Sequence, residues 1–302
     1  MNLCALIFVV YLAIGAAAED ESDETLCTHL SGLSRNWCCC WQEKKLCSQI
    51  LDKLSDLEDL INKKQDCCEP KPVPSGNSCK EIYDHDSDSP NKAYDLKLGD
   101  KDVSVYCSMS GELGDCGGGG WTLVMKTDGA KHTFSYDSKA WSSMSSVSPE
   151  NGDTGLDNLE TLLPTYWRTS FTKICLGMKV DGVNRFLRVD KAATSLYALI
   201  ADGQYRATSL GRDAWKGLVG PKASLQRNCN REGFNTRGTL STHAKMRIGI
   251  IANEQNECNS PDSRIGFGGW GSVAEVPCGN VARHGGDNGD QTIRAFGYIF
   301  VQ

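Results

Sequence analysis

Three pieces of sequence decide the fold: Cys79-Lys-Glu-Ile82, Val105-Tyr-Cys107 and Gly117-Gly-Gly-Gly-Trp121-Thr-Leu-Val-Met125. The two cysteines enclose strand-like sequence, and four glycines then lead into an apolar strand that begins with Trp121. Glycine tolerates positive φ and lets backbone and rings approach closely, so the run suits a tight entry into a packed sheet. We therefore predict a β-rich domain that starts at Cys79.

Length and charge narrow the class of protein. The chain has 302 residues, which is enough for one large domain and a smaller appendage. Its formal net charge of -6 is modest, so neither nucleic acid nor an anionic membrane is an obvious partner.

The N-terminus predicts the compartment. Leu3–Ile14 is apolar but short for a membrane span, the small residues Ala16–Ala18 follow it, and an acidic run extends from Glu19 to Glu24. This order is typical of a signal peptide, residues 1–18, cleaved after Ala18. The segment before Leu3 lacks lysine and arginine, which leaves an uncleaved anchor as the alternative. We predict a secreted, extracellular protein.

The cysteines divide into two groups around a linker. Seven lie in a Cys-rich segment, residues 19–68, and seven lie in residues 79–302, on either side of the proline-rich linker 69–78. In an oxidising compartment they favour disulfides over a zinc cluster, because the C-x2-C spacing of zinc knuckles is absent. Each of the two groups has an odd number of cysteines. Therefore at least one disulfide joins the two groups or joins two chains, or free thiols remain.

The Cys-rich segment contains a short heptad pattern. Its apolar positions recur at spacings of three and four, as in the a/d seam of a coiled coil. The seam consists of Cys47, Ile50, Leu54, Leu57 and Ile61. Cys40 and Cys68 fall at a positions of the same register. The pattern predicts either a disulfide-linked homo-oligomer or one amphipathic helix packed within an intrachain disulfide knot.

The C-terminal part is predicted to be mixed, with strands and short helices. Leu156–Trp167 has leucines at helical spacing, which predicts a helix. The predicted strands are Val103–Cys107, Trp121–Lys126, Lys173–Val180, Phe186–Val189, Leu196–Ile200, Met246–Ile251 and Ile293–Gln302. The predicted core includes Trp121, Leu123, Met125, Ile174, Leu176, Ile248, Ile250, Phe296 and Tyr298.

The last sixty residues, together with the glycine run, carry a family resemblance. They contain Cys258-Asn-Ser-Pro-Asp-Ser-Arg-Ile-Gly-Phe-Gly-Gly-Trp270, His284-Gly-Gly-Asp-Asn-Gly-Asp290 and Phe296-Gly-Tyr-Ile-Phe-Val-Gln302. Residues 79–302 resemble fibrinogen-related C-terminal domains of the intelectin-like and cnidarian type, which include coral skeletal organic matrix proteins. The resemblance implies an α+β fold with an antiparallel sheet, short helices and a loop-rich C-terminal subdomain, preceded by a short Cys-rich helical segment.

The same resemblance implies one disulfide and a ligand site. It pairs Cys79 with Cys107, and leaves open the connectivity of Cys116, Cys175, Cys229, Cys258 and Cys278. It implies calcium as a cofactor, because oxygen-bearing side chains on loops suit that ion. The implied ligands are Asn259, Asp262, Asp287, Asn288 and Asp290. His284, Asp290 and Trp270 are the implied ligand-binding residues. The alternatives are a polar turn at 287–290 and a core position for Trp270.

Catalytic motifs are absent from the sequence. It has no HExxH, GxSxG, Walker or dinucleotide motif. We therefore predict a non-enzymatic extracellular matrix protein, of the kind found in biomineralised skeletons, that binds glycans or matrix proteins. A soluble calcium-dependent lectin of innate defence is the first alternative. A secreted hydrolase is the second, because paired carboxylates leave no local signature.

Overall fold

The computed structural model describes residues 53–55, 57 and 76–302. The chain divides into two units, Met1–Pro72 and Val73–Gln302, and the second unit contains the fold described below. Most of the predicted coiled-coil seam lies outside the described residues, including Cys47, Ile50 and Ile61.

Within residues 76–302, the fold consists of two antiparallel sheets, four short α-helices and three short 3-10 helices. The α-helices are α1 (Cys79–His85), α2 (Thr165–Arg168), α3 (Leu196–Ile200) and α4 (Arg212–Val219). The first sheet consists of β1 (Lys92–Lys97), β2 (Asp102–Ser108), β3 (Trp121–Asp128), β4 (Thr161–Leu162), β5 (Phe171–Val180), β6 (Val183–Ala193) and β13 (Phe296–Val301). The second consists of β7 (Arg206–Ala207), β8 (Asn228–Arg237), β9 (Lys245–Asn253), β10 (Ser263–Trp270), β11 (Cys278–Ala282) and β12 (Gln291–Arg294). Among the described residues, no helix is long and apolar enough to cross a bilayer.

The C-terminal strand lies in the middle of the first sheet. The strand order is β1-β2-β3-β13-β5-β6, with β4 paired to β3 outside this path. β13 forms antiparallel ladders with both β3 and β5, and every residue of β13 is buried. Its side chains alternate between two hydrophobic clusters: Ile299 and Val301 belong to one, and Phe296, Tyr298 and Phe300 to the other. The last strand of the chain therefore joins the two cores.

The glycine run has the conformation that its sequence predicts. Gly117 and Gly120 adopt φ of 67° and 82°. A Cβ on Gly119 would lie 1.9 Å from the carbonyl oxygen of Met109. The indole of Trp121 turns back and donates to the carbonyl of Gly117 at 2.8 Å. The predicted tight entry into a packed sheet is confirmed, and all nine predicted core residues are buried.

Three disulfides lie within the domain. The predicted Cys79–Cys107 bond is present, with its Cα atoms 5.5 Å apart. The other two bonds join Cys116 to Cys175 and Cys229 to Cys258. Cys278 remains a free thiol and is fully buried. Closing chain loops of this length stabilises a fold by about 4 kcal/mol per bond in the chain-entropy account.

A row of four glycines crosses the second sheet. In neighbouring strands Gly233 pairs with Gly249, Gly249 with Gly266, and Gly266 with Gly279. Their φ values are 132°, 159°, 148° and 134°. A Cβ on any of the four would lie between 2.0 and 2.3 Å from a carbonyl oxygen of an adjacent strand. We call this feature the glycine row.

The second sheet bends sharply along the glycine row. Met246 and Ile251 flank Gly249 in one strand, yet they belong to one small buried cluster. In a straight strand they would be roughly 16 Å apart and on opposite faces. In β8, the Thr236 hydroxyl donates to the carbonyl of Arg231, five residues earlier, at 3.2 Å. Because the residues of the glycine row have no side chains, neighbouring strands can approach closely there and bend at the same position.

One predicted element is wrong in type, and a second is correct in type but divided in two. Leu196–Ile200 is helix α3, not a strand, because Ser195 caps it by accepting from Ala198 N at 3.1 Å. Its apolar residues then fall on one buried helical face. The predicted strand Ile293–Gln302 is interrupted at Ala295, where the chain leaves β12 in the second sheet for β13 in the first.

The predicted helix Leu156–Trp167 is also wrong. Residues 161–162 form β4 instead, and only residues 165–168 are helical. The buried ammonium of Lys126 binds Asp157 at 2.6 Å and the hydroxyl of Thr154 at 2.9 Å. The hydroxyl of Tyr298 donates to the carbonyl of Asp157 at 2.8 Å. The Tyr298 hydroxyl occupies a backbone carbonyl that a helix would need, and Lys126 fixes the side chains of the same segment, so the leucine spacing does not produce a helix.

Candidate functional site

Three chain segments meet at one end of the second sheet. Strand register pairs Ala252 with Ser263, Arg264 with Val281, and Ala282 with Gln291. The β9–β10 connection, 254–262, and the β11–β12 connection, 283–290, therefore emerge side by side. The segment before β8 reaches the same end, because Asn228 pairs with Asn253. We call the two connections the site loops.

Gln226 joins the site loops. Its side chain is fully buried, and its Oε1 accepts from Asp262 N at 3.0 Å. Its Nε2 donates to the carbonyl of His284 at 3.2 Å and to the carboxylate of Glu254. Sequence reasoning missed this residue, because a lone glutamine between polar neighbours belongs to no pattern. Its amide supplies both donors and acceptors, which is what a clamp between two loops needs.

The bend in the sheet adds a third loop to this end. Ala244 N, just before β9, donates to the carbonyl of Pro261 at 2.9 Å. The imidazole of His243 thereby comes close enough to Asp262 to affect its ionisation. Asp262 is thus approached by residues from both halves of the bent sheet.

Asp262 has the perturbed ionisation typical of a functional carboxylate. Burial raises its pKa, and this is the largest cause. The nearby imidazoles of His284 and His243 lower the pKa, while the carboxylate of Glu254 raises it, and the net pKa lies above the ordinary value. His284 also adopts φ of 53°, a left-handed backbone conformation that is uncommon for residues other than glycine. Perturbed pKa values and backbone outliers both concentrate at functional sites.

Asp287 turns away from this group toward helix α4. Its carboxylate lies 2.8 Å from Arg212 Nη2 and 2.6 Å from Lys216 Nζ. It also accepts from Leu225 N at 3.0 Å. Burial raises the pKa of Asp287, but the hydrogen bonds from Lys216, Arg212 and Leu225 lower it by more, to about 2.

Asn288 is likewise engaged within the fold. Its Nδ2 donates to the carbonyls of Pro221 and Ala223 at 3.0 and 3.4 Å. The hydroxyl of Ser224 donates to the carbonyl of Gly289 at 2.6 Å and accepts from Asn288 N at 3.1 Å. These bonds fasten residues 287–289 to the segment before β8, as a structured polar turn would require.

The five predicted calcium ligands do not form one site. Asp262 lies among the site loops, Asp287 is neutralised by two cations, and Asn288 donates to carbonyls. Asn259 and Asp290 are exposed. Within residues 76–302, no three acidic, histidine or cysteine side chains lie close enough together to hold one metal ion. A calcium ion wants six to eight oxygens, so the predicted set does not fit it.

Trp270 is engaged by a lysine. It is half-buried at the end of β10, and the ammonium of Lys245 lies 4.6 Å from its ring. The same ammonium lies 4.8 Å from the ring of Tyr136 and 2.8 Å from the carboxylate of Asp137. Cation–π contact of this kind stabilises the position of an aromatic ring. The role of Trp270 in ligand binding stays a prediction, as do those of His284 and Asp290.

Comparisons with known proteins show a likeness to a solved structure. No protein-family model matches the chain, and no curated protein matches it. The fibrinogen-like globe domain of human ANGPTL6 is a solved structure to which the chain is similar, at 16% identity and a TM-score of 0.31, over 76% of this chain and 97% of that chain. A likeness at this level assigns neither a family nor a function.

Proposed function

We propose that the chain is a secreted, non-enzymatic extracellular matrix protein, and that its fibrinogen-related C-terminal domain binds glycans or other matrix ligands at the site loops. The observation that carries the proposal is the joining of the site loops by Gln226, which bonds to Asp262 N and to the carbonyl of His284. Asp262 there is a half-buried carboxylate whose pKa is raised by burial and is lowered in part by the imidazoles of His284 and His243. Carboxylate oxygens accept from hydroxyl groups and imidazole nitrogens donate to them, so such a group suits a polyhydroxylated ligand.

The disulfides support an extracellular location. Six of the seven cysteines in residues 79–302 are paired in bonds of ordinary Cα spacing, 5.1 to 5.7 Å. Disulfides of this density persist in oxidising compartments and are rare in the cytosol. They support export, together with the apolar leader that precedes the acidic run.

The arrangement of the carboxylates supports binding over hydrolysis. Glu254 accepts from Gln226 and from Gln255, so its carboxylate holds the site loops together. Asp287 is held by Arg212 and Lys216, which keeps it ionised and removed from any reaction at Asp262. Glu257 accepts from the side chain of Asn253 and from Asn259 N. Of the carboxylates left in the site loops, Asp290 is exposed and Asp262 is half-buried, and Asp262 suits the role of hydrogen-bond acceptor for a ligand.

Replacing Asp262 should weaken ligand binding without lowering the stability of the fold. We expect Asp262→Asn to weaken binding to immobilised matrix polysaccharides at least ten-fold, because the amide loses the charge that accepts ligand hydroxyls. Its folded-state pKa is raised, so its ionised form opposes folding at neutral pH, and that effect disappears below the unfolded-state pKa. The midpoint of thermal unfolding at pH 7 should therefore stay equal or rise slightly.

Asp190→Asn is the matched control. Asp190 lies on β6, is exposed, and pairs with Arg188 at 3.2 Å on the surface. This variant should bind as the wild type does. Equal affinity of the wild type and Asp262→Asn, or an equal loss in both variants, would contradict the placement of the site.

Two further arms of the binding assay address the alternatives. Binding should survive a chelator, because the predicted calcium ligands do not converge; loss of binding in EDTA would favour the calcium-dependent lectin. Prolonged incubation should release no new reducing ends from the bound glycan. Release that disappears in Asp262→Asn would favour the hydrolase.

A further inference from the structure

The guanidinium of Arg264 is a buried cation with few partners. Arg264 lies on β10 and is 2% exposed. Its Nη2 donates to the carbonyl of Ala274, and its Nη1 lies against the backbone of Gly271, where an added Cβ would be 2.7 Å away. Its Nε is buried and has no hydrogen-bond partner among the described residues. A buried donor of a charged group is costly to leave without an acceptor, so this nitrogen calls for one.

No carboxylate balances the charge of this guanidinium. Burial, the largest cause, and the guanidinium of Arg283 lower the pKa of Arg264, the carboxylate of Glu275 raises it, and the net pKa is about 9. Arg264 therefore stays charged at neutral pH. Glu275 instead accepts from the hydroxyl of Ser135 at 2.5 Å and lies 3.2 Å from Nδ1 of His132. Within the described part of the chain, Arg264 takes part in no ion pair.

The guanidinium of Arg283 belongs to the same face of the second sheet. Strand register places Arg264 opposite Val281, and Arg283 follows Val281 by two residues, so alternation along the strand directs both arginines to one face. The Nη2 of Arg283 donates at 2.6 Å to the hydroxyl of Thr292, which pairs with Val281. The other acceptors of Arg283 are backbone carbonyls. Two neighbouring cations with only neutral acceptors repel each other.

We propose that a small inorganic anion, chloride, binds at the Nε of Arg264 and is shared with the guanidinium of Arg283. The anion accepts from the unpaired Nε, neutralises the buried charge and removes the repulsion between the two arginines. Arg283 is the first residue of the second site loop, so the anion also fixes the place where that loop begins. The inference rests on these contacts and not on the proposed function.

The burial of Arg264 selects the size and charge of the anion. Because the side chain is 2% exposed, an anionic group carried on a polymer does not reach its Nε. An anion that binds there must also give up its water, and the cost of doing so rises with its charge. Chloride carries one charge and is less strongly hydrated than sulfate or phosphate. It is therefore the anion that fits this position.

Thermal unfolding of the full secreted chain tests the site. Sodium gluconate is replaced stepwise by sodium chloride at constant ionic strength, so that general screening does not change. Chloride should raise the midpoint of unfolding in a saturable manner, by at least about 5 °C once its concentration exceeds its dissociation constant about a hundred-fold.

Two variants assign the effect to Arg264. In gluconate, Arg264→Met should unfold at the temperature of the wild type or above it, because the variant buries no unpaired charge. Chloride should leave the midpoint of Arg264→Met unchanged. Arg188→Met is the matched control, because Arg188 lies on β6, is exposed, and pairs with Asp190 at 3.2 Å. This control should respond to chloride as the wild type does.

Crystals of the wild type soaked in bromide locate the anion even if Arg264→Met fails to fold. We expect an anomalous peak at hydrogen-bond distance from the Nε of Arg264. The inference is overturned by a map without bromide at Arg264, by equal midpoints of the wild type in gluconate and chloride, or by a chloride effect that persists in Arg264→Met.

Discussion

Gly266→Ala should abolish secretion of folded protein or reduce the free energy of unfolding by about 4 kcal/mol or more. The new Cβ would lie 2.1 Å from the carbonyl oxygen of Ile248 and 2.7 Å from the Cα of Gly249. Both contacts are to backbone, so no side chain can move aside. The residue would also have to keep φ of 148°, which L-amino acids rarely adopt. Urea unfolding of the purified domain measures the loss.

Two other glycines separate the possible causes of that loss. Gly182 has φ of 78° with no atom within 4 Å of an added Cβ, so Gly182→Ala isolates backbone strain, about 1 kcal/mol. Gly217 lies exposed in helix α4 without any such contact, and Gly217→Ala should stabilise by up to ~1 kcal/mol. If Gly266→Ala reduces the free energy of unfolding by no more than Gly182→Ala does, the close approach of backbones along the glycine row is contradicted.

Glu232→Ala should reduce the free energy of unfolding by about 3–5 kcal/mol. Its buried carboxylate accepts from Trp215 Nε1 at 2.8 Å, from Gly211 N at 2.8 Å and from the hydroxyl of Thr208 at 2.7 Å. A fourth bond comes from Leu210 N at 3.1 Å. Helix α4 has no side-chain N-cap of its own, so this carboxylate holds the start of the helix on the sheet. Removing it leaves buried donors unpaired.

The same carboxylate makes stability depend on pH. Burial raises the pKa of Glu232, but the hydrogen bonds from Trp215, Gly211, Thr208 and Leu210 lower it by more, and the net pKa is below the ordinary value. The stability that the Glu232 carboxylate contributes is therefore fully present above the pKa of this group in the unfolded state. It is lost as pH falls through the pKa of the group in the folded state. The difference in unfolding free energy between the wild type and Glu232→Gln should shrink as pH falls below about 4.5. Glu150→Gln, at an exposed glutamate, should show no such difference.

Local sequence patterns predicted the parts of the fold that depend on neighbours in the chain. Alternation in Met246–Ile251 and the apolar run from Trp121 correspond to β9 and β3. Leu196–Ile200 was misassigned because five apolar residues fit a buried strand or a helical turn equally well. The cap from Ser195 decides for the helix, and a lone serine is a weak signal.

Features that depend on strand register could not be predicted. Arg247-Ile-Gly249 and Arg264-Ile-Gly266 repeat a tripeptide in the sequence, yet only pairing of their strands aligns the two glycines. Likewise, the sequence placed Asp287 among the calcium ligands, because its partners Arg212 and Lys216 lie more than seventy residues away. Asp262 and His284 were named from the sequence, and Gln226, which was not, bonds to the backbone of both.

Hydrogen–deuterium exchange with a bound glycan tests the central claim, that the site loops form the recognition surface. The domain is compared alone and in the presence of the matrix polysaccharide that it binds most tightly. We predict slower exchange of backbone amides in residues 254–262 and 283–290, and no change in β6. Protection confined to α1 and β2, with the site loops unchanged, would contradict the account.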